Sequence, residues 1–134
     1  EPSNEDNVLA LASAVTNRGT ELQMEGDIDE ARKYFELAIN LYPAGWAAQN
    51  NLAAMELGLG NVEKAYSILE PALTRHPSAA KLNLNMGLVL EKMGRYDEAY
   101  RYMRKSLELD PMSPGIEEHL NRMLKESQER EKSP

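Results

Sequence analysis

Cysteine is missing altogether from the 134 residues. Disulfides and thiolate metal sites are thereby excluded, while the compartment stays open, because a cysteine-free chain suits cytoplasm and periplasm equally. No apolar run approaches the roughly 20 residues that a spanning helix needs, so no direct membrane insertion is expected. Positive charge is scarce too. Fifteen Lys and Arg against 22 Asp and Glu leave a formal net charge of −7, the wrong sign for general nucleic-acid binding. Histidine occurs twice, as His76 and His119, neither with a metal-spaced partner. No metal, cofactor or catalytic residue is expected. "GLG" at Gly58–Gly60 lacks the preceding strand and the further glycine of a phosphate cradle, and reads as a helix terminus. The carboxylates of Asp27–Glu30 complement a helix dipole rather than build a cation site.

What the chain does have is a period. Gly26, Gly60 and Gly94 are 34 residues apart, as are Ala31, Ala65 and Ala99, and Pro43, Pro77 and Pro111. Two further columns, Ala38, Ala72, Ser106 and Phe35, Leu69, Met103, keep the same step. The stretch after each glycine has helical spacing, with Ile28, Ala31, Phe35 and Ala38 on one face. Pro71 interrupts the middle copy, yet its neighbours in the array make residues 62–75 one helix as well, with the Ser67 carbonyl deprived of its helical donor. A second helical segment precedes each glycine. Seven helices are predicted, near 5–24, 28–41, 46–58, 62–75, 79–92, 96–109 and 114–128.

A helix–turn–helix unit of this length, repeated three times, resembles the tetratricopeptide repeat. Gly19, Ala53 and Gly87, opposite Ala31, Ala65 and Ala99, match that family's close helix crossing. The departures are a missing tryptophan at the fourth position, Glu56 where a bulky apolar side chain is usual, and Ser106 for alanine. The resemblance implies an all-α fold, a right-handed superhelical solenoid of antiparallel helix pairs. The whole chain, 1–134, is then a single domain: repeats at 12–45, 46–79 and 80–113, a capping helix at 114–130, and a frayed tail at 131–134.

Family geometry also implies which positions stack on the preceding repeat. They are apolar in repeats two and three (Ala48, Leu52, Met55; Leu82, Met86, Val89) but Ala14, Arg18 and Glu21 in repeat one. Unpaired charge would not be buried there, so repeat one is expected to start the solenoid. The chain opens on Glu1 without methionine, which leaves an upstream signal or anchor open and the localisation unknown. At the other end Ile116, Leu120 and Met123 continue the apolar register, and Glu118 and Arg122 are expected to pair at i, i+4. A helix apolar inward and polar outward suits a solenoid end.

The resemblance implies that the first helices line a concave groove. Asn17, Asn51 and Asn85 recur there, 34 apart, in an arrangement similar to the asparagine ladder of O-linked N-acetylglucosamine transferases. An amide both donates and accepts, so it can hold a peptide backbone of any sequence; the alternative is that these amides tie neighbouring helices together. Thr20, Asn50, Ala54, Leu57, Lys81, Leu84, Leu88, His119 and Arg122 complete the candidate site. Leu57, Leu84 and Leu88 suggest an apolar anchor, and Lys81, Arg122 and Lys125 a basic end. The clamp by which related domains hold acidic chaperone tails is matched by Asn51 and Lys81 only, with Thr16, Thr20 and Asn85 replacing its other members. Trp46 is read as packing at a repeat junction. The expected function is a monomeric, non-enzymatic adaptor that binds a protein or peptide partner in the groove; the alternative is a self-assembling scaffold.

Overall fold

The computed structural model describes residues 3–132. Among them are seven helices and no strand: α1 (Asn4–Met24), α2 (Ile28–Leu41), α3 (Ala47–Gly58), α4 (Val62–Arg75), α5 (Ala80–Lys92), α6 (Tyr96–Leu109) and α7 (Ile116–Lys132). They form an all-α solenoid of antiparallel pairs, α1 on α2, α3 on α4 and α5 on α6, with α7 laid against α6. One turn chemistry builds all three pairs. Gly26, Gly60 and Gly94 adopt φ of 85°, 87° and 77°, a region that costs an L side chain but not glycine. At each, the following amide reaches back five residues: Asp27 to Leu22 O at 2.9 Å, Asn61 to Glu56 O at 2.8 Å, and Arg95 to Leu90 O at 2.9 Å. This satisfies the helix end and reverses the chain in two residues.

Within a pair, the small-residue columns set the helix approach. A Cβ built on Gly87 would lie 2.6 Å from Met103 Cγ and 3.3 Å from Ala99 O; one on Gly19 would lie 2.7 Å from the Phe35 ring. Ala31, Ala65 and Ala99 are fully buried opposite them. Overpacking at such a contact outweighs the helix propensity that alanine would gain over glycine. Gly87→Ala is therefore expected to lower stability by about 1 kcal/mol in urea titration, with Gly87→Val worse.

The apolar faces fuse into two clusters. Leu22, Ala31, Phe35, Leu52 and Met55 make one. The other runs from Ala53 and Leu69 through Leu82, Val89 and Met103 to Ile116 and Met123 on α7, and Ile68 packs against both. Pro71 is accommodated inside α4, as the flanking copies imply. Glu56 is fully buried where Leu22 and Leu90 stand in the other repeats, and it is paired: Arg32 Nη2 lies 2.8 Å from Oε1 and Lys64 Nζ 2.7 Å from Oε2.

Two expectations about the ends need correcting. Arg122 does not pair with Glu118 along its own helix; it reaches across to Glu91 on α5, with Nε 2.7 Å from Oε2 and Nη2 3.0 Å from Oε1. A bidentate pair held by two packed helices is geometrically better than an i, i+4 pair in solvent. Nor does α7 stop at 130, the expected end of the capping helix; it runs to Lys132. Ser127 donates to Asp97 and Arg130 to Gly94 O, with the Arg130 guanidinium 5.2 Å from the Tyr96 ring centre. The last two residues of the expected tail lie outside the described residues. At the other end, Arg18 is exposed and pairs with Glu21 and Glu25 at 3.1 and 3.6 Å.

Candidate functional site

The first helices α1, α3 and α5 carry the candidate residues. Ala54 and Leu57 on α3 and Asn85 and Leu88 on α5 meet at one cavity of about 390 Å³, which Gly58, Glu91 and Lys92 complete. Leu57 and Leu88 are only half-buried; one side packs on the core of repeats two and three, and the other lines the cavity. Leu84 packs on the same core but does not line the cavity.

The three asparagines do not behave alike. Asn85 donates to Asn50 Oδ1 at 2.6 Å, tying α5 to α3. Asn50 is only 8% exposed, and its amide oxygen serves that tie. Asn51, half-buried one turn before Ala54, makes no side-chain hydrogen bond within the described residues, and neither does exposed Asn17. The ladder thus divides: one rung is structural and two amides remain available. Thr20 has its hydroxyl on Thr16 O at 3.3 Å, and buried Thr16 donates to Ala12 O at 2.7 Å.

Charge is also redistributed relative to the expectation. Glu91, on the cavity wall, gathers α7: Arg122 grips it bidentately, and His119 Nδ1, 4.0 Å from Glu91 Oε1, accepts from Arg122. The hydrogen bond to Glu91 raises the Arg122 pKa further, against the lesser effect of burial. Arg122 is therefore spent on the fold. Exposed Lys81, Lys92 and Lys125 have no ion-pair partner among the described residues. By holding Arg122, Glu91 organises the end helix, a role that spacing within one helix cannot reveal because the partner stands on another.

Asn17 belongs to a second, larger cavity of about 430 Å³ between α1 and the α2–α3 connection, walled by Leu9, Ala12, Tyr42 and Trp46. Trp46 is half-buried against the core, as junction packing requires, and it also walls this space. The connection is held from α4: Arg75 donates to Pro43 O at 2.6 Å and His76 Nε2–H to Ala44 O at 2.7 Å. Among the described residues no group of three His, Asp or Glu could hold a metal ion, and no helix is long and apolar enough to cross a membrane.

Family models of the tetratricopeptide repeat match residues 16–68 and 80–113, together more than half of the chain. The chain belongs to the tetratricopeptide-repeat family. Such domains are generally non-enzymatic protein-interaction modules. The fold is shared with the first TPR domain of human RPAP3, at TM-score 0.85 and 20% identity over 94% of this chain and 99% of that one. It is shared also with the Sgt2 TPR domain from Aspergillus fumigatus, at 0.84 and 21% over 98% and 85%. A third similar structure is the first TPR of Spaghetti (RPAP3) bound to an HSP90 peptide, at 0.80 and 20% over 85% and 90%. No curated protein matches the sequence.

Proposed function

We propose that this tetratricopeptide-repeat domain is a non-enzymatic adaptor whose groove holds an extended partner segment along α3 and α5. The observation that carries the reading is the pairing of a free amide with an apolar cavity: Asn51 uncommitted in the middle repeat, one turn from the space walled by Leu57 and Leu88. Asn51 would hold the backbone of the segment while an apolar side chain enters the cavity and Lys92 stands at its edge. A structural relative was solved with an HSP90 peptide, which supports a peptide as the class of partner. An acidic chaperone tail fits poorly here. Thr16 is buried and bonded to its own helix, Asn85 is tied to Asn50, and Arg122 is neutralised by Glu91.

The test begins with a partner captured by pull-down and reduced to a peptide. Asn51→Ala should then weaken binding by about 1–3 kcal/mol, because a desolvated backbone group loses its partner. The melting temperature should change little, since the Asn51 side chain makes no hydrogen bond among the described residues. Leu88→Ala should also weaken binding, whereas Lys105→Ala on α6 should not. A partner whose affinity ignores Asn51 and Leu88 would sink the reading, and association of the chain with itself in sedimentation would favour the scaffold.

A further inference from the structure

On α3, Ala47, Asn51, Ala54 and Gly58 follow at steps of four, three and four residues, which sets them in one stripe along the helix. Ala47 lines the cavity of about 430 Å³ beside α1, and Ala54 and Gly58 line the cavity of about 390 Å³ beside α5. Asn51 lies between the two, its amide uncommitted. Ser13 and Asn17 make a matching stripe on α1, both exposed and both lining the first cavity. Asn85, Leu88 and Lys92 do the same on α5 for the second. The two cavities therefore share the face formed by the first helices. A segment lying along α3 and α5 alone leaves the one beside α1 unused.

We infer that the partner is an extended peptide with two apolar anchors about five residues apart, one for each cavity, and an acidic residue beyond an anchor; this rests on the groove reading above. The centres of the two linings lie about nine residues apart along α3, roughly 13 Å at the helical rise. One cavity opens between α3 and α1 and the other between α3 and α5, so they are also offset sideways by a helix spacing of about 9 Å. The diagonal is roughly 16 Å, which an extended chain at about 3.3 Å per residue covers in about five residues. Such a chain crosses α3 at Asn51, whose amide can both donate to its backbone and accept from it, and meets a second such amide at Asn17. Two separate cavities joined by uncommitted amides suit a chain better than a compact ligand, which fills only one. Charge commits the flank. Among the described walls of the first cavity there is no Asp, Glu, Lys or Arg. At the second, Glu91 is held by Arg122, whereas Lys92 is exposed without an ion-pair partner, as is Lys81 on the same helix. Free positive charge in the groove of a chain of net charge −7 favours an acidic segment over a basic one.

The experiment is a titration of the isotope-labelled full chain, followed by nuclear magnetic resonance, with capped synthetic peptides. In these, two leucines are separated by one to seven serines and flanked at both ends by aspartate. Identical ends make the series indifferent to the direction in which the peptide lies. Affinity should peak at about three to five serines, about tenfold above controls with either leucine replaced by serine, and fall to the controls at one serine, where the anchors cannot span the cavities. The side-chain NH₂ signals of Asn17 and Asn51 should shift together at the peak length. Ala47→Phe, at an exposed position in the first cavity, should remove the gain over the controls while leaving single-leucine binding and the melting temperature unchanged. Serine in place of the aspartates should weaken binding about threefold at low salt, and Lys92→Ala should shrink that difference; equal affinity without the aspartates would strike the acidic flank. Affinity independent of serine number, no gain from the second leucine, or no saturable shift with any peptide would overturn the two-anchor inference alone, since the groove reading is tested on a captured partner. Peptide binding that ignores both Asn51→Ala and Leu88→Ala would overturn the groove reading and this inference with it.

Discussion

Arg32→Ala is expected to cost about 3 kcal/mol of folding stability at neutral pH, although part of its side chain is exposed. The cause lies in Glu56. Its carboxylate has no solvent exposure and is shared between α2 and α4, with Arg32 Nε and Nη2 donating to Oε1 at 3.3 and 2.8 Å and Lys64 Nζ 2.7 Å from Oε2. Removing Arg32 strips one oxygen of both donors and leaves a buried charge held by Lys64 alone. Removing the charge as well should rescue the fold. Glu56→Leu restores what Leu22 and Leu90 provide in the other repeats, and buried ion pairs replaced by apolar side chains are often neutral or stabilising. The Arg32→Ala/Glu56→Leu double variant should thus lie within about 1 kcal/mol of wild type. Equal cost of Arg32→Ala in both backgrounds, measured by urea denaturation, would refute the coupling.

Acid supplies a second reading of the same contact. Burial pushes the Glu56 pKa up, but hydrogen bonds from Arg32 and the charge of Lys64 outweigh it, and the carboxyl ends below its ordinary value. A depressed pKa contributes stability that is fully present above the unfolded value, about 4.3, and is lost as pH falls through the folded one. Wild type should therefore lose stability in that acid window more steeply than Glu56→Leu, and the two should run parallel above pH 6.

The 34-residue period made the helices, the turns and the buried columns readable, because each glycine and alanine states a local steric requirement that needs no partner to be interpreted. Asn85 shows where that stops. Its recurrence with Asn17 and Asn51 suggested three equal rungs, whereas a neighbour one position off the ladder, Asn50, takes Asn85 out of it. Arg122 likewise had an i, i+4 partner in sequence and a better one on another helix. Glu56 was visible as a departure from the repeat pattern, but its compensation comes from Arg32, 24 residues earlier, and Lys64, on the next helix. In each case the unread part is a side-chain pairing between helices, where several partners are compatible with one repeat register.

The largest single loss is expected from Met123→Asp. Met123 is 0% exposed in the core that α7 shares with repeats two and three, and a carboxylate placed there would be desolvated against apolar neighbours, at a cost on the order of 4 kcal/mol or more. Ile116 is buried with it, whereas Leu120, in the same register, is only half-buried against that core; Leu120→Asp should accordingly cost less than Met123→Asp. Leu124→Asp, at an exposed position one residue along, should be nearly neutral and serves as the control. The damage should also have a direction. Repeats contact chiefly their neighbours, so a solenoid comes apart from a weakened end. Hydrogen exchange on Met123→Asp should show α7 and then α5–α6 losing protection, together with the Arg122–Glu91 pair, while α1 and α2 keep theirs. Uniform loss across all seven helices would instead mean that the three repeats and α7 unfold as one cooperative unit.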